Sequence, residues 1–231
     1  MKPRICVPLP ARKLSDLIPM IRRAEASGAD LVEIRLDYMN ALTTMDDLGK
    51  IVEQASVPLI AANRQYQQGG FRRQDEGQRV EALLRAAEIG FEYVDIELTT
   101  AELELTIKRV EDHGARSIVS HHDLERTPSE SEMERIVESQ IEAGADVCKL
   151  VTTASEIADN IRCLTLTRRI SESTKIVCFA MGPKGALSRS FSPLFGAYFT
   201  FASLESGLET GSGQMSIADL KELYRRLGVD E

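Results

Sequence analysis

Lys149 lies in V-C-K-L-V-T (147–152), a run so apolar that an amine in its middle calls for a chemical reason. If the run is a strand, Val147 and Val151 share the face of Lys149, because side chains alternate with period two. The amine is then expected among apolar walls and arginines, where desolvation and nearby positive charge both favour the neutral form that attacks carbonyls. That chemistry is Schiff-base formation; an ion-paired lysine is the alternative. Other polar residues recur in or near the C-terminal halves of apolar runs: Glu33 and Arg35 in V-E-I-R-L-D, Arg64 after A-N, Asp95 and Glu97 in V-D-I-E-L, Ser120 and His122 in V-S-H-H-D. The same alternation pairs Glu33 with Arg35, Asp95 with Glu97, and Ser120 with His122 on common faces. Buried charges are normally paired, so a ring of ion pairs would explain some of them. Eight such residues, Lys149 included, exceed what packing requires, which points to a functional site. His122 suits acid-base work near neutral pH. His121 points to the opposite face and fits a satisfied core histidine. Adjacent on one strand, the two cannot chelate one metal, and no metal site is expected.

The elements that must position these residues form a repeat. Short β-branched runs at 5–8, 31–37, 58–64, 93–98, 117–123, 146–152, 175–181 and 198–203 alternate with helical patterns at 14–27, 45–54, 76–89, 101–113, 129–143, 155–171, 184–190 (weak) and 217–227. Eight such units predict a TIM (β/α)8 barrel over residues 1–231 as one domain. The competing doubly wound sheet often shows a glycine-rich phosphate turn after its first strand, whereas here that strand runs into Pro8, Leu9, Pro10 and Ala11. The glycine-containing stretch 205–213 follows the eighth run, on the rim where barrel active sites lie; a passive connector is its bland reading.

Composition narrows the class of partner. A net charge of −8 over 231 residues argues against nucleic acid or an anionic membrane, but not against a small anion held by local arginines. No run approaches a membrane span, and no signal peptide is read in the opening M-K-P-R-I-C-V-P-L-P. Four cysteines without zinc-like spacing suit free thiols in a reducing cytoplasm.

Taken in order, the motifs resemble those of the type I 3-dehydroquinate dehydratases. E-I-R-L-D (33–37) resembles the family's E-x-R-x-D strand, S-H-H-D-L-E-R-T-P (120–128) its S-x-H-D-F-x-x-T-P segment, and G-A-D-V-C-K-L (144–150) its G-A-D-x-x-K strand. L-S-R-S (187–190) and the pair Gly213 and Gln214 fall where the remaining motifs belong. The resemblance implies a cytoplasmic homodimer that needs no cofactor and dehydrates 3-dehydroquinate to 3-dehydroshikimate. It implies that Lys149 forms the imine, that His122 is the acid-base, and that Glu33, Arg35, Arg64, Arg189, Thr210 and Gln214 bind substrate, Arg189 at the carboxylate. Three departures stand out. Gln68 precedes Gly69 and Gly70 where the family often has glutamate, so any tuning of the histidine by charge is in doubt. Thr210 replaces a serine, and Ser212 stands where a proline precedes the last glycine. The N-terminal hairpin that covers the barrel bottom is expected to be absent or reduced. A phosphosugar aldolase of the Schiff-base type and a non-catalytic binding barrel are the alternatives.

Overall fold

The computed structural model describes residues 2–40 and 44–230; positions 1, 41–43 and 231 of the expected 1–231 barrel lie outside the described residues. Strands β1 (Ile5–Leu9), β2 (Leu31–Arg35), β3 (Leu59–Ala62), β4 (Tyr93–Glu97), β5 (Arg116–His122), β6 (Val147–Thr153), β7 (Ile176–Met181) and β8 (Thr200–Phe201) alternate with helices. These are α1 (Leu14–Ala26), α2 (Met45–Val52), α3 (Glu76–Glu88), α4 (Leu103–Asp112), α5 (Glu130–Glu142), α6 (Asp159–Ile170), α7 (Ala186–Phe191) and α8 (Ile217–Leu227). Neighbouring strands are parallel and follow chain order around the sheet, β7-β6-β5-β4-β3-β2-β1-β8. The seam between β7 and β8 is tied by the Tyr198 N–H, which donates to the Ile176 carbonyl at 2.7 Å. Sequential order with β8 returning to β1 is the TIM barrel, since a doubly wound sheet reverses order at a switch point. Among the described residues, no helix is long and apolar enough to cross a membrane.

Strand alternation divides the core in two. Leu31, Ile60, Tyr93, Ile118, Val147, Val151, Val177, Phe179 and Phe201 fill the lumen. Their strand neighbours Val32, Ala61, Val94 and Val119 pack outward against the helices, as do Cys148, Leu150 and Cys178. The polar residues therefore share the lumen face at the strands' C-terminal ends. At the opposite end β1 is the first described element, and the floor is closed by Tyr93 and Tyr198, whose hydroxyls lie 2.8 Å apart. All four cysteines are buried and free.

Some boundaries differ from the sequence reading for local reasons. The run at 31–37 stops being strand at Arg35, and Leu36–Tyr38 turns as a 3-10 helix. There the Asp37 carboxylate doubles back on the Arg35 side chain. β3 ends at Ala62, so Arg64 belongs to the following loop. α6 starts at Asp159 and not near 155, because the Asp159 carboxylate accepts the N–H groups of Ser155 and Glu156 at 2.7 and 3.1 Å.

Candidate active site

The C-terminal mouth of the barrel opens into a narrow cleft lined by charged and apolar side chains. All eight residues expected to carry the site line it: Glu33, Arg35, Arg64, His122, Lys149, Arg189, Thr210 and Gln214. The register explains the convergence. Ser120 pairs with Lys149 and Lys149 with Val177, so the amine stands on the lumen face directly beside the end of β5.

Lys149 is 4% exposed, and its immediate partners are carboxylates, which corrects the expected setting of apolar walls and arginines and gives the ion pairing that was the alternative. Its Nζ lies 2.7 Å from Asp95 Oδ2 and 3.4 Å from Glu33 Oε2, and 4.5 Å from the centre of the Phe201 ring. Asp95 is shared: its Oδ2 also meets Arg64 at 2.7 Å, and its Oδ1 accepts from Ser120 at 2.6 Å. Burial alone would raise the Asp95 carboxyl, but Arg64, Lys149 and His122 outweigh it and hold it far below the usual range. Arg64 donates further to Glu97 Oε1 at 2.8 Å and to Ser120 Oγ at 2.6 Å. From α3, Arg79 reaches Glu97 Oε2 at 2.5 Å. Removing one member of such a buried network strands the others' charge, which costs about 3–5 kcal/mol.

Arg35 is held differently. Its Nε and Nη2 donate to the two oxygens of Asp37 at 2.8 and 2.6 Å, a bidentate clamp that keeps the guanidinium at the rim. Arg189, presented by α7, has no carboxylate within ion-pair reach among the described residues. Its Nη2 donates to the Ser212 carbonyl at 3.0 Å, its Nε has no partner, and the guanidinium lies 4.5 Å over Phe179. Burial pulls it down to about 9, the mark of a cation that lacks a counter-ion. Ser212 lies in the stretch 205–213, which is fastened to β7 by the Gly182 N–H donating to the Ser212 carbonyl at 3.1 Å. Gly213 has no room for a side chain, since a Cβ would come within 2.4 Å of the Gly182 carbonyl. Thr210 and Gln214 face the cleft joined to each other, the Thr210 N–H donating to Gln214 Oε1 at 2.9 Å.

His122 faces the cleft and His121 the outside, as alternation requires. Burial, then Arg64 and Lys149, lower the His122 imidazole well below its ordinary range despite the opposing pull of Asp95. It is therefore neutral near pH 7, and its Nδ1 has no partner. His121 does not become a satisfied core histidine: it is half-buried, and its Nδ1 is also unpartnered. Gln68 reaches the histidine through the backbone, its Oε1 accepting the His122 N–H at 2.9 Å. The sequence reading gave no role to Asp37, the last residue of its E-x-R-x-D motif, or to Arg79, Phe179, Met181 or Phe201. The last three line the cleft but look like ordinary strand core. Only the i, i+2 spacing of Arg35 and Asp37 could have marked their clamp.

The matching family model, type I 3-dehydroquinase, aligns with residues 5–231. The chain belongs to the type I 3-dehydroquinase family. The 3-dehydroquinate dehydratase of Dehalococcoides mccartyi is 36% identical over 201 residues, covering 87% of each chain. The chloroplastic bifunctional 3-dehydroquinate dehydratase/shikimate dehydrogenase of Arabidopsis thaliana is 35% identical over 98% of this chain, which spans 38% of that protein. In fold, the crystal structure of 3-dehydroquinate dehydratase from Geobacillus kaustophilus superposes with a TM-score of 0.91 at 22% identity, covering 99% of this chain and 92% of that one. Membership over residues 5–231 sets aside the phosphosugar aldolase.

Proposed function

We propose that this type I 3-dehydroquinase dehydrates 3-dehydroquinate to 3-dehydroshikimate through an imine on Lys149, with His122 as the general acid-base. The observation that carries the reading is a buried amine on a barrel strand in one cleft with a neutral histidine and a guanidinium that lacks a counter-ion. Lys149 Nζ passes its proton to His122 and attacks the C3 ketone; the imidazolium returns that proton to the carbinolamine hydroxyl, which leaves as water to give the iminium. Asp95 is held too acidic to take a proton, so neutral His122 is the better acceptor in the cleft. The iminium withdraws electrons from C2, and His122 removes the C2 proton to give an enamine. The enamine electrons return as the C1–O bond breaks, and the imidazolium protonates the departing hydroxide. Water then hydrolyses the imine, releasing product and the amine.

The unpaired Arg189 is the partner for the ring carboxylate, where its planar fork can bind bidentately. Glu33, Arg35, Thr210 and Gln214 stand around the remaining space for the ring hydroxyls. Arg64 lines the same cleft, with its charge already committed to Asp95 and Glu97. No metal or organic cofactor is part of this chemistry. Four buried thiols suit a reducing cytoplasm, and a homodimer is the assembly to test by sedimentation velocity. The activity itself is tested by adding 3-dehydroquinate and following the ultraviolet absorbance of the conjugated enone. Absence of that absorbance with folded protein rejects the reading.

A further inference from the structure

Between β3 and α3 the chain makes a short loop whose contacts run to the ends of both β2 and β5. Residues 66–68 form a 3-10 turn, closed by Gly69 at φ 90°. Gly70 follows with no room for a side chain, because a Cβ would come within 2.1 Å of the Arg64 carbonyl. The Gly70 N–H donates to the Gln65 carbonyl at 2.9 Å, so the turn is tight and internally bonded. Its last residue, Gln68, is buried and fully engaged. Its Oε1 accepts the His122 N–H at 2.9 Å, and its Nε2 donates to Thr99 Oγ1 at 3.1 Å and Gln65 Oε1 at 3.4 Å. Just after it, the Phe71 N–H donates to Asp37 Oδ2 at 2.8 Å, the oxygen that also receives Arg35 Nη2. The Phe71 ring stacks on Tyr38 at 4.4 Å, and Tyr38 in turn lies under the Arg35 guanidinium at 5.0 Å. Arg12 covers the outer side of Phe71 at 5.1 Å, completing a four-layer stack on the rim. Phe71 is nevertheless 44% exposed, so its place is set by the stack and by its N–H bond to Asp37 more than by burial in the core.

We propose that this loop is a brace for two groups of the cleft, with Gln68 the positioning residue for His122 and Phe71 the positioning residue for Arg35. The proposal rests on the reading of His122 as acid-base and Arg35 as a substrate ligand. Gln68 fixes the end of β5 through the main chain and so aims the imidazole, with its amide spent on backbone and neighbours and none of it on the ring. Phe71 fixes Arg35 twice, by orienting the Asp37 carboxylate through its N–H and by supporting Tyr38 beneath the guanidinium. Each fastener acts on a different kinetic constant. A misaimed acid-base slows the chemical steps, whereas a loosened ligand of the substrate weakens binding.

The test is a pair of variants read by steady-state kinetics and by amide hydrogen exchange of the free protein. Gln68→Met keeps the volume and removes the acceptor. It should lower kcat by about tenfold or more while KM stays within about twofold. Phe71→Ala should raise KM by roughly tenfold, the scale of one weakened charge-assisted hydrogen bond, with kcat nearly unchanged. Phe71→Leu, which keeps an apolar side chain but no stack, should fall between. In the exchange experiment, the His122 amide should lose protection in Gln68→Met and the Phe71 amide should lose it in Asp37→Leu, which removes the acceptor. Thermal unfolding of each variant confirms that the protein is folded under assay. Variants that change kcat and KM together, or leave both within about twofold of wild type, overturn the brace; so does unchanged exchange at the two amides. Exchange needs no substrate, so a wild type inactive on 3-dehydroquinate would reject the proposed reaction without touching the brace.

Discussion

On the β2–β5 side of the cleft Arg64 gives its guanidinium to Asp95, Glu97 and Ser120, whereas on the β7–β8 side Arg189 meets only a carbonyl and the face of Phe179. Both arginines are almost wholly buried, yet their net pKa shifts run in opposite directions. Burial works to lower Arg64, but Asp95 and Glu97 more than reverse it; nothing reverses it for Arg189. An arginine saturated by carboxylates is framework, holding Asp95 under the Lys149 amine. An arginine desolvated without a counter-ion is a stored demand for an anion, which substrate can meet.

The largest effect expected from breaking this contrast is on stability. Arg64→Met strands Asp95 and Glu97 with only Lys149 and Arg79 opposite them, and should cost about 3 kcal/mol in urea unfolding. Arg189→Met should leave stability within about 1 kcal/mol of wild type, because it removes a buried charge that nothing repays. Similar losses in both variants would mean that the two sides are not different in kind. On activity the order reverses: Arg189→Lys should lower kcat/KM by about 10-fold or more, since a point charge cannot replace the fork.

His122 and His121 sharpen the same contrast between the inside and the outside of one strand. His122→Ala should slow turnover by roughly 10²–10⁴-fold, and His121→Ala far less. Equal losses in folded variants would mean that the facing of β5 is wrong.

A smaller effect follows from proton linkage at His122. Its imidazole is lowered in the folded protein, so on acidification the unfolded chain binds the proton first. The stability it contributes is complete above about pH 6.5 and is lost as pH falls through that value toward the lower folded pKa. Between pH 7 and pH 5.5, His122→Ala should therefore lose less stability than wild type. The difference should stay under about 1.4 kcal/mol per pH unit, and parallel curves would contradict the shift. Smallest of all, the exposed pair of Arg23 with Glu205, 2.5 Å apart at the base of the stretch 205–213, should contribute under about 1 kcal/mol when Arg23→Ala is measured.

Much of this was legible in the sequence because barrels reward period-two reading. Glu33, Asp95, Ser120, His122 and Lys149 interrupt apolar strands on the face that alternation assigns to the lumen, and that is where they lie. The environment of Lys149 was not legible. Which charges meet it depends on the stagger between strands 33, 95 and 149 residues along the chain, and alternation within one strand carries no information on that. Arg79 was hidden because it reaches Glu97 from a helix, where a lone arginine reads as a solvated face. Asp37 was taken as part of a strand, yet its clamp on Arg35 exists only because the strand has already turned. Phe179 and Phe201 were indistinguishable from core, since an aromatic wall of a cleft and an aromatic filling a lumen have the same pattern.

The most direct test of the central claim, a nucleophilic amine at Lys149, is reduction with borohydride in the presence of 3-dehydroquinate, followed by peptide mapping by mass spectrometry. The expected result is a stable adduct on the peptide carrying Lys149, loss of activity in proportion to labelling, and no adduct on folded Lys149→Ala. Labelling at another residue, such as Lys184, or turnover of 3-dehydroquinate with no trappable adduct at any lysine, would contradict it.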